Sequence, residues 1–436
     1  MSKCKLGSIC TITSSKRIFE NEYVSNGIPF IRGLEISDGS VLDENAKYEC
    51  YISEKRYKEL KETNGVPKKG DILITAVGTI GNLCYINKDM DFYFKDGNVI
   101  WFKDFHENVY SKFLFYFMKS AYFKKQLENS MIGAVQKALT MKMLSEINLD
   151  LPDYNTQVLI VKVLESIDNK IANNNKINTE LEEMAKTIYD YWFLQFEFPN
   201  EEGKPYKSNG GKMVWNEELK REIPEGWEVD ILKNCISQEK NAIVDGPFGT
   251  QLKIGEYVDF GVPIYEMEQL NGKFIVNKPK HFITNEKYSE VKRSSVKNGD
   301  IIISKTGTLG LLGIVRSTYD NGIIVSRLAK ITPDENKIGK YTLLIFLGKL
   351  TENGYWLKQS NGSTMPILNN ALIENTKVIL PKNELYLEFE NIIKPFYEKI
   401  YNIQKENQEL TSLRDFLLPL LMNGQVGFKE VALAGE

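Results

Sequence analysis

One stretch of this chain occurs twice. GDILITAVGTIGNLCYI starts at Gly70 and GDIIISKTGTLGLLGIV starts at Gly299, 229 residues further on. A copy at about half the chain length is a duplicated domain, not a short solenoid unit. The same offset carries Leu151-Pro152 onto Leu380-Pro381 and Gly133 onto Gly362. Upstream it drifts by a few residues, as loop insertions require. GIPFIRGLEI from Gly27 pairs with GVPIYEMEQL from Gly261, and YISEKRY from Tyr51 pairs with FITNEKY from Phe282. Each half therefore holds a globular domain of roughly 150 residues, an ordinary domain size. Two similar domains in one chain imply pseudo-twofold symmetry. That symmetry suits a target with two halves, of which duplex DNA is the obvious case.

A helical stretch follows each globular part. Ile160, Leu164, Ile167, Ile171, Asn174, Asn178, Leu181, Ala185, Ile188 and Trp192 alternate steps of four and three, a heptad seam. The offset of 229 gives Phe389, Ile393, Phe396, Ile400, Ile403, Asn407, Leu410, Arg414, Leu417 and Leu421 in the same register. Either each helix serves its own domain or the two pair with each other, and the shared register favours pairing. Asn178 and Asn407 occupy equivalent seam positions, and Asn174 lies one step earlier. A buried seam Asn costs stability and fixes register and orientation, so Asn178 and Asn407 are expected near the middle of an antiparallel pair. Pro395 marks the first turn of the second helix or kinks it.

The remaining elements follow from local pattern. Residues 28–110 read as short β-branched strands separated by Gly, Asn and Asp. Residues 111–129 read as one amphipathic helix, INLDLP as a strand, and about Asn155 to Phe196 as the long helix. FPNEEGKPYKSNGGKMVWNEELK has the composition of a solvated linker. The second half repeats the order, with strands from about Trp227 to Lys330, a helix over 339–359, the strand TKVILP, and a helix to about Met422. The fold class is α+β. It comprises two similar α/β domains in pseudo-twofold arrangement, separated by two long antiparallel helices forming a coiled coil. The boundaries are 1–153, 154–196 (helix), 197–223 (linker), 224–381, and 382–436 (helix and tail).

Charge allows a nucleic-acid partner without demanding one. The net charge is −3. Residues 1–150 carry 21 Lys+Arg against 19 Asp+Glu, and residues 224–380 carry 19 against 17. The globular parts are thus mildly basic and the helical parts acidic. Weak intrinsic DNA affinity, with a partner supplying most phosphate contacts, fits this balance.

The catalytic inventory is poor. His106 and His281 are the two histidines and do not correspond in the repeat. Cys4, Cys10, Cys50, Cys84 and Cys235 are odd in number and lack a CxxC, which points to reduced thiols in the cytosol. No metal-ligand cluster, phosphate-binding loop or NPPY-like tetrapeptide is present. The glycines of GTIG and GTLG sit between strands, so they make turns and not a dinucleotide fingerprint. No run approaches 18 apolar residues, which argues against a membrane span. MSKCKLGSIC lacks the apolar core of a signal peptide.

Two mildly basic domains, each followed by a heptad helix, with no catalytic set, resemble the specificity (S) subunit of Type I restriction–modification systems. GDILITAVGTIG and GDIIISKTGTLG resemble that family's strand-turn-strand. VDGPFGTQLK (Val244–Lys253) resembles its GPFGS-type loop, and GIPFIRG and GVPIYEM match its G-[IV]-P strand. LDLPDYNTQVLIVKVLESIDNKI and VILPKNELYLEFENII resemble the opening of each conserved helix, and LRDFLLPLLMNGQV resembles its C-terminal ending. The resemblance covers essentially the whole chain, and the repeated order is its most specific feature. There are departures. The Glu-Gln of the helix opening is Asn155–Gln157 in one copy and Asn383–Leu385 in the other. The GPFG loop is missing from the first domain, where ITSSKRIF (Ile12–Phe19) stands instead, so the two domains should read different half-sites.

The resemblance implies a non-catalytic subunit that reads a bipartite double-stranded DNA target, one half-site per target recognition domain. The paired helices would set the gap. Residues 160–192 make a rod of about 50 Å, more than the roughly 34–36 Å of one DNA turn. It further implies two methyltransferase subunits, which bind S-adenosylmethionine, and restriction subunits using ATP and Mg²⁺, with no cofactor or metal in this chain. The helices and their acidic faces are the expected docking surface, and Tyr191, Trp192 and Phe193 are either part of it or core at the helix end. Base reading needs bidentate or amide groups on loops. The candidates are Ser15, Lys16, Arg17, Arg32, Thr79, Gln136 and Lys137 in the first domain. In the second they are Phe248, Thr250, Gln251, Lys253, Lys305, Thr308, Arg327, Ser363 and Thr364. Two other readings stay open, a self-contained methyltransferase or nuclease and a helical scaffold with no DNA role.

Overall fold

The computed structural model describes residues 2–43, 46–131, 138–276, 278–359, 366–381 and 385–428. The chain forms two compact units. One is Met1–Lys170 with Leu410–Glu436, and the other is Ile171–Glu409. Both long helices, Tyr154–Tyr189 and Leu385–Met422, are divided between the units.

In the first unit a four-stranded sheet runs Thr11–Thr13, Val99–Lys103, Ile72–Thr75, Leu83–Tyr85. A second sheet runs Tyr23–Val24, Tyr51–Ile52, Ile28–Ile31, Tyr93–Phe94. The second unit repeats both. Ile243–Asp245, Leu328–Ile331, Ile301–Ser304 and Leu312–Val315 take the first pattern, with Phe274–Ile275 added at the edge. The registers match as well, since Ile72 faces Phe102 and Ile301 faces Ile331. Ile72–Thr75 and Ile301–Ser304 are buried along their whole length, which explains why the duplicated segment tolerates only like-for-like changes there.

The turn after each of these strands is built by one rule. Thr75 and Ser304 donate their side-chain hydroxyls to the Thr79 and Thr308 carbonyls, and accept from the Asn82 and Leu311 amides. Gly78, Gly81, Gly307 and Gly310 have φ of +77°, +91°, +73° and +76°, a left-handed region where a Cβ is strained.

The long helices pair antiparallel. In the second unit Asn174 meets Asn407, while Tyr189 and Trp192 meet Phe389 with ring centroids 5.8 and 5.6 Å apart. Ala185, Phe389, Ile393 and Ile400 join that unit's core. In the first unit Ile160, Leu164, Leu418 and Leu421 join the core, and Arg414 pairs with Asp168 at 2.9 Å. The seam polarity differs from the expectation. Asn174 Nδ2 donates to Asn407 Oδ1 and to Glu406 Oε2, both at 2.8 Å, and Asn407 donates to Asn175. Asn178 does not meet Asn407, and its Oδ1 is buried with no hydrogen-bond partner among the described residues. Antiparallel partners are fixed by a constant sum of residue numbers, not by the repeat offset.

Other expectations shift for local reasons. The 111–129 helix is two, Ser111–Lys119 and Ala121–Ser130, because Ser120 leaves the helix and caps the second by accepting from the Phe123 amide. The 339–359 helix likewise breaks into Lys340–Glu352 and Tyr355–Gln359 at Gly354, whose φ is +67°. The first long helix ends in a π-turn over Asp190–Leu194. Pro395 lies inside the second long helix, beyond its first turn. The supposed solvated linker is ordered. Met213–Asn216 and Arg221–Pro224 form a hairpin, and Phe198 stacks on Tyr206 and Trp227 at 4.6 and 5.1 Å. Its polar composition hid Phe198 and Tyr206, which stack on each other, Phe198 also on Trp227 just beyond the linker. The departing helix openings also make sense. Gln157 is fully buried, donating to Asn108 and Pro152 carbonyls and accepting from the Tyr110 amide, so it ties the helix to its domain. In the second copy Tyr386 does this by donating to the Ile379 carbonyl.

Candidate nucleic-acid interface

The candidate reading groups lie on loops that leave the buried strands. In the second unit the strand Ile243–Asp245 runs into Gly246-Pro247-Phe248-Gly249. Gly246 is required there, because a Cβ would stand 2.2 Å from the Val325 carbonyl group. Pro247 is buried, whereas Phe248 is 66% exposed. Its amide donates to Gln251 Oε1 at 3.2 Å, which closes a tight loop and presents Thr250 and Gln251 to solvent.

Phe248, Thr250 and Gln251 share one wall of a cleft of about 460 Å³, and Lys287, Glu290, Arg293 and Ser294 line it too. Lys253, Thr308 and Arg327 are exposed but outside that lining. Arg327 and Arg293 carry no carboxylate partner among the described residues, so both are available to an anion. Lys305 is not. It is buried, with Nζ 2.6 Å from Asp245 and 3.2 Å from the Asn370 side-chain oxygen. Its sequence-based assignment as a base reader fails on geometry.

In the first unit the SSKRIF loop takes the corresponding place. Ser14 donates to the Val99 carbonyl and Ser15 to the Phe94 carbonyl, while the Lys16 amide donates to Tyr93 Oη. Ser15 is therefore a loop anchor. Lys16 and Arg17 project into solvent, Arg17 held lightly by Asp96 at 3.0 Å. Phe19 is 62% exposed. Arg32, like Lys305, is already engaged. Its guanidinium bonds Glu49 at 2.7 Å and Glu35 at 3.4 Å, and the Glu49 hydrogen bond holds its proton more firmly than usual. Thr79 bonds Ser37 at 2.6 Å in the glycine turn. Gln136, Lys137, Ser363 and Thr364 lie outside the described residues.

A second feature of the interface was not identified from sequence. Arg56 pairs with Glu22 and Glu59, and Lys287 pairs with Glu256 and Glu290. Each cation is the sixth residue of its YISEKRY or FITNEKY segment and clips the return of the variable loop to a helix start. Glu256 is held below the usual carboxylate range by the Lys253 amide first and by Lys287 second. The matched segments contained the signal, since both place a cation before a Tyr. The acidic partners were not legible because they lie in loops of unequal length.

At the ends of the long helices, Trp192 and Phe193 are core residues, leaving Tyr191 exposed. Ile177, Met184 and Tyr191 recur every seven residues on the outer face at 40%, 51% and 39% exposure. In the first unit Leu413 and Phe416 are exposed on the second long helix. Among the described residues, no group of three His, Cys, Asp or Glu side chains is placed to hold a metal, and no helix is long and apolar enough to cross a membrane.

Residues 1–183 and 230–412 match the Type I restriction modification DNA specificity domain. The chain is 28% identical to the MjaIX specificity subunit of Methanocaldococcus jannaschii, over 94% of this chain and 89% of that protein. It is 23% identical to the HindI specificity subunit of Haemophilus influenzae, over 90% and 94%. The fold is shared with the Type I S subunit from M. genitalium at a TM-score of 0.54 and 17% identity, covering 97% of this chain and 96% of that one.

Proposed function

The chain belongs to the Type I restriction–modification DNA specificity family, and from that premise we propose that it reads a bipartite DNA target, one half-site per globular domain. The observation that carries this reading is the contrast between frame and loop. The buried strands, the glycine turns and the cation clips recur in both units. The exposed loops do not. One presents Lys16 and Arg17, and the other presents Phe248, Thr250 and Gln251 on a Gly-Pro-Phe-Gly turn. One frame with two different faces suits two different half-sites.

In this reading Arg17, Arg327 and Arg293 meet guanine edges or phosphates, and Gln251 presents the amide that adenine recognition needs. Phe248 packs against a base edge or thymine methyl. The mild positive charge of each domain makes duplex affinity dependent on partner subunits. Two methyltransferase subunits carrying S-adenosylmethionine dock on the helices, for which the exposed Ile177, Met184, Tyr191, Leu413 and Phe416 supply apolar contact. Restriction subunits bring ATP and Mg²⁺. This chain supplies recognition and no catalytic group. Methylation profiling of the host with the gene present and deleted tests the reading. The expected result is one two-part motif that disappears on deletion; an unchanged methylome refutes it.

A further inference from the structure

Lys305 is the most enclosed cation of the second recognition domain, its side chain 10% exposed. Three segments converge on it. Its ammonium group binds Asp245, the residue immediately before the Gly-Pro-Phe-Gly loop, at 2.6 Å. It also binds the side-chain oxygen of Asn370, the first residue of the helix Asn370–Glu374, at 3.2 Å. Its backbone amide donates to the Arg327 carbonyl, and its own carbonyl accepts from Leu368. Two of the segments carry candidate readers. Phe248, Thr250 and Gln251 follow Asp245, and the Arg327 carbonyl accepts from the Lys305 backbone amide.

The first domain keeps this frame without the cation. Ala76 lies 229 residues earlier, and its amide and carbonyl make the same two backbone bonds, to Asn98 and from Leu139. Ser14, bonded to the Val99 carbonyl, holds the loop instead. The first domain therefore builds the same frame without such an ion pair. The pair occurs where the loop is the Gly-Pro-Phe-Gly type, and its other fastening is short. Asp245 O accepts from Ser294 at 2.6 Å, and Gly246 N donates to Leu328.

We propose that Lys305 is a positioning residue. Through Asp245 and Asn370 it fixes the Gly-Pro-Phe-Gly loop against the Arg327 segment and the helix Asn370–Glu374, and it touches no base itself. This rests on the reading that the domain recognises a half-site. A buried ammonium with one carboxylate partner keeps its geometry only while both charges are present, so losing either should release the loop.

The test uses the full chain assembled with its methyltransferase subunits, with target methylation and motif sequencing as readouts. Lys305→Met and Asp245→Asn are each expected to lower methylation about tenfold, with the double variant within about twofold of either single, as coupled partners behave. The accepted bases and the other half-site should not change. Asn370→Ala, which removes the 3.2 Å bond to Lys305, should give a smaller loss of the same kind, and it carries the test if Lys305→Met does not fold. Relaxed preference at one base with Lys305→Met but not Asp245→Asn would make Lys305 a reader and overturn the proposal. Additive losses would also overturn it. A wild-type complex with no two-part motif would remove the functional reading together with this one, whereas a normal wild-type motif with either contrary result removes this one alone.

Discussion

One substitution, made twice on the same helix four residues apart, should have opposite effects. Asn174 is 2% exposed and its amide donates to Asn407 and Glu406. Asn174→Leu removes the donor from both bonds and takes from Asn407 Oδ1 the hydrogen bond it accepts across the seam. Leaving a buried polar group unsatisfied costs about 1–3 kcal/mol. Asn178 is half-buried and its Oδ1 has no hydrogen-bond partner among the described residues. Asn178→Leu removes that oxygen and recovers a penalty of about 1–3 kcal/mol while adding apolar burial. Both changes carry the same gain in helix propensity, a few tenths of a kcal/mol, so it cancels in the comparison. At roughly 2–4 °C per kcal/mol for a unit of this size, a 2 kcal/mol effect moves the melting temperature by about 6 °C in each direction. Differential scanning calorimetry of the full chain reads this. Because a two-unit chain need not melt in one step, Leu164→Ala, costing about 2–5 kcal/mol, marks the transition of the first unit. If Asn174→Leu and Asn178→Leu move the second unit's transition the same way by similar amounts, the assignment of seam partners is wrong.

Other consequences are simpler to check. Gln251→Ala and Phe248→Ala should weaken or relax one half-site and leave the other intact; methylome sequencing with both half-sites altered would refute independent readers. Adding one heptad to each long helix should lengthen the unspecified gap between half-sites without changing them, and an unaltered gap in the methylated motif would end the spacer idea. Burial pushes the Cys10 thiol up to about 12. In the folded chain its alkylation should therefore be slow at pH 8 and rise steadily toward that value, as mass spectrometry of labelled peptides reports. The sign for stability follows, since the unfolded thiol ionises near 9. This contribution is whole below that pH and is lost as pH rises toward about 12.

The parts of this fold that were legible are those where local pattern and long-range packing agree. Ile72–Thr75 and Ile301–Ser304 announce themselves because a strand buried on both faces is a continuous apolar run. The seam was legible because Ile160, Leu164, Phe389 and Ile393 repeat at heptad spacing and are all buried. The partner of Asn407 was not. A repeat offset says which positions are equivalent, whereas contact across an antiparallel pair depends on where the chain turns, and that information lies outside both helices. The hairpin at Met213–Pro224 was missed for a related reason. It is flanked by Phe198, Tyr206 and Trp227, which meet across 29 residues, and no window of local composition shows that.

Residue type also misled where a cation was taken for a reader. Arg32 and Lys305 belong to the residue classes that recognise guanine, yet each is already neutralised by carboxylates, Glu35 and Glu49 for one and Asp245 for the other. Arg293 and Arg327 have no such partner among the described residues, and partnering is a property of the folded surface. The duplication sharpens this point. Where both halves keep a cation, as at Arg56 and Lys287, it clips the frame. Where only one half keeps it, as at Lys305 against Ala76, it serves whatever differs between the halves. What differs most is the exposed loop, so a charge present in one copy and absent from the other is the place to look for how a shared frame is made to hold an individual reading surface.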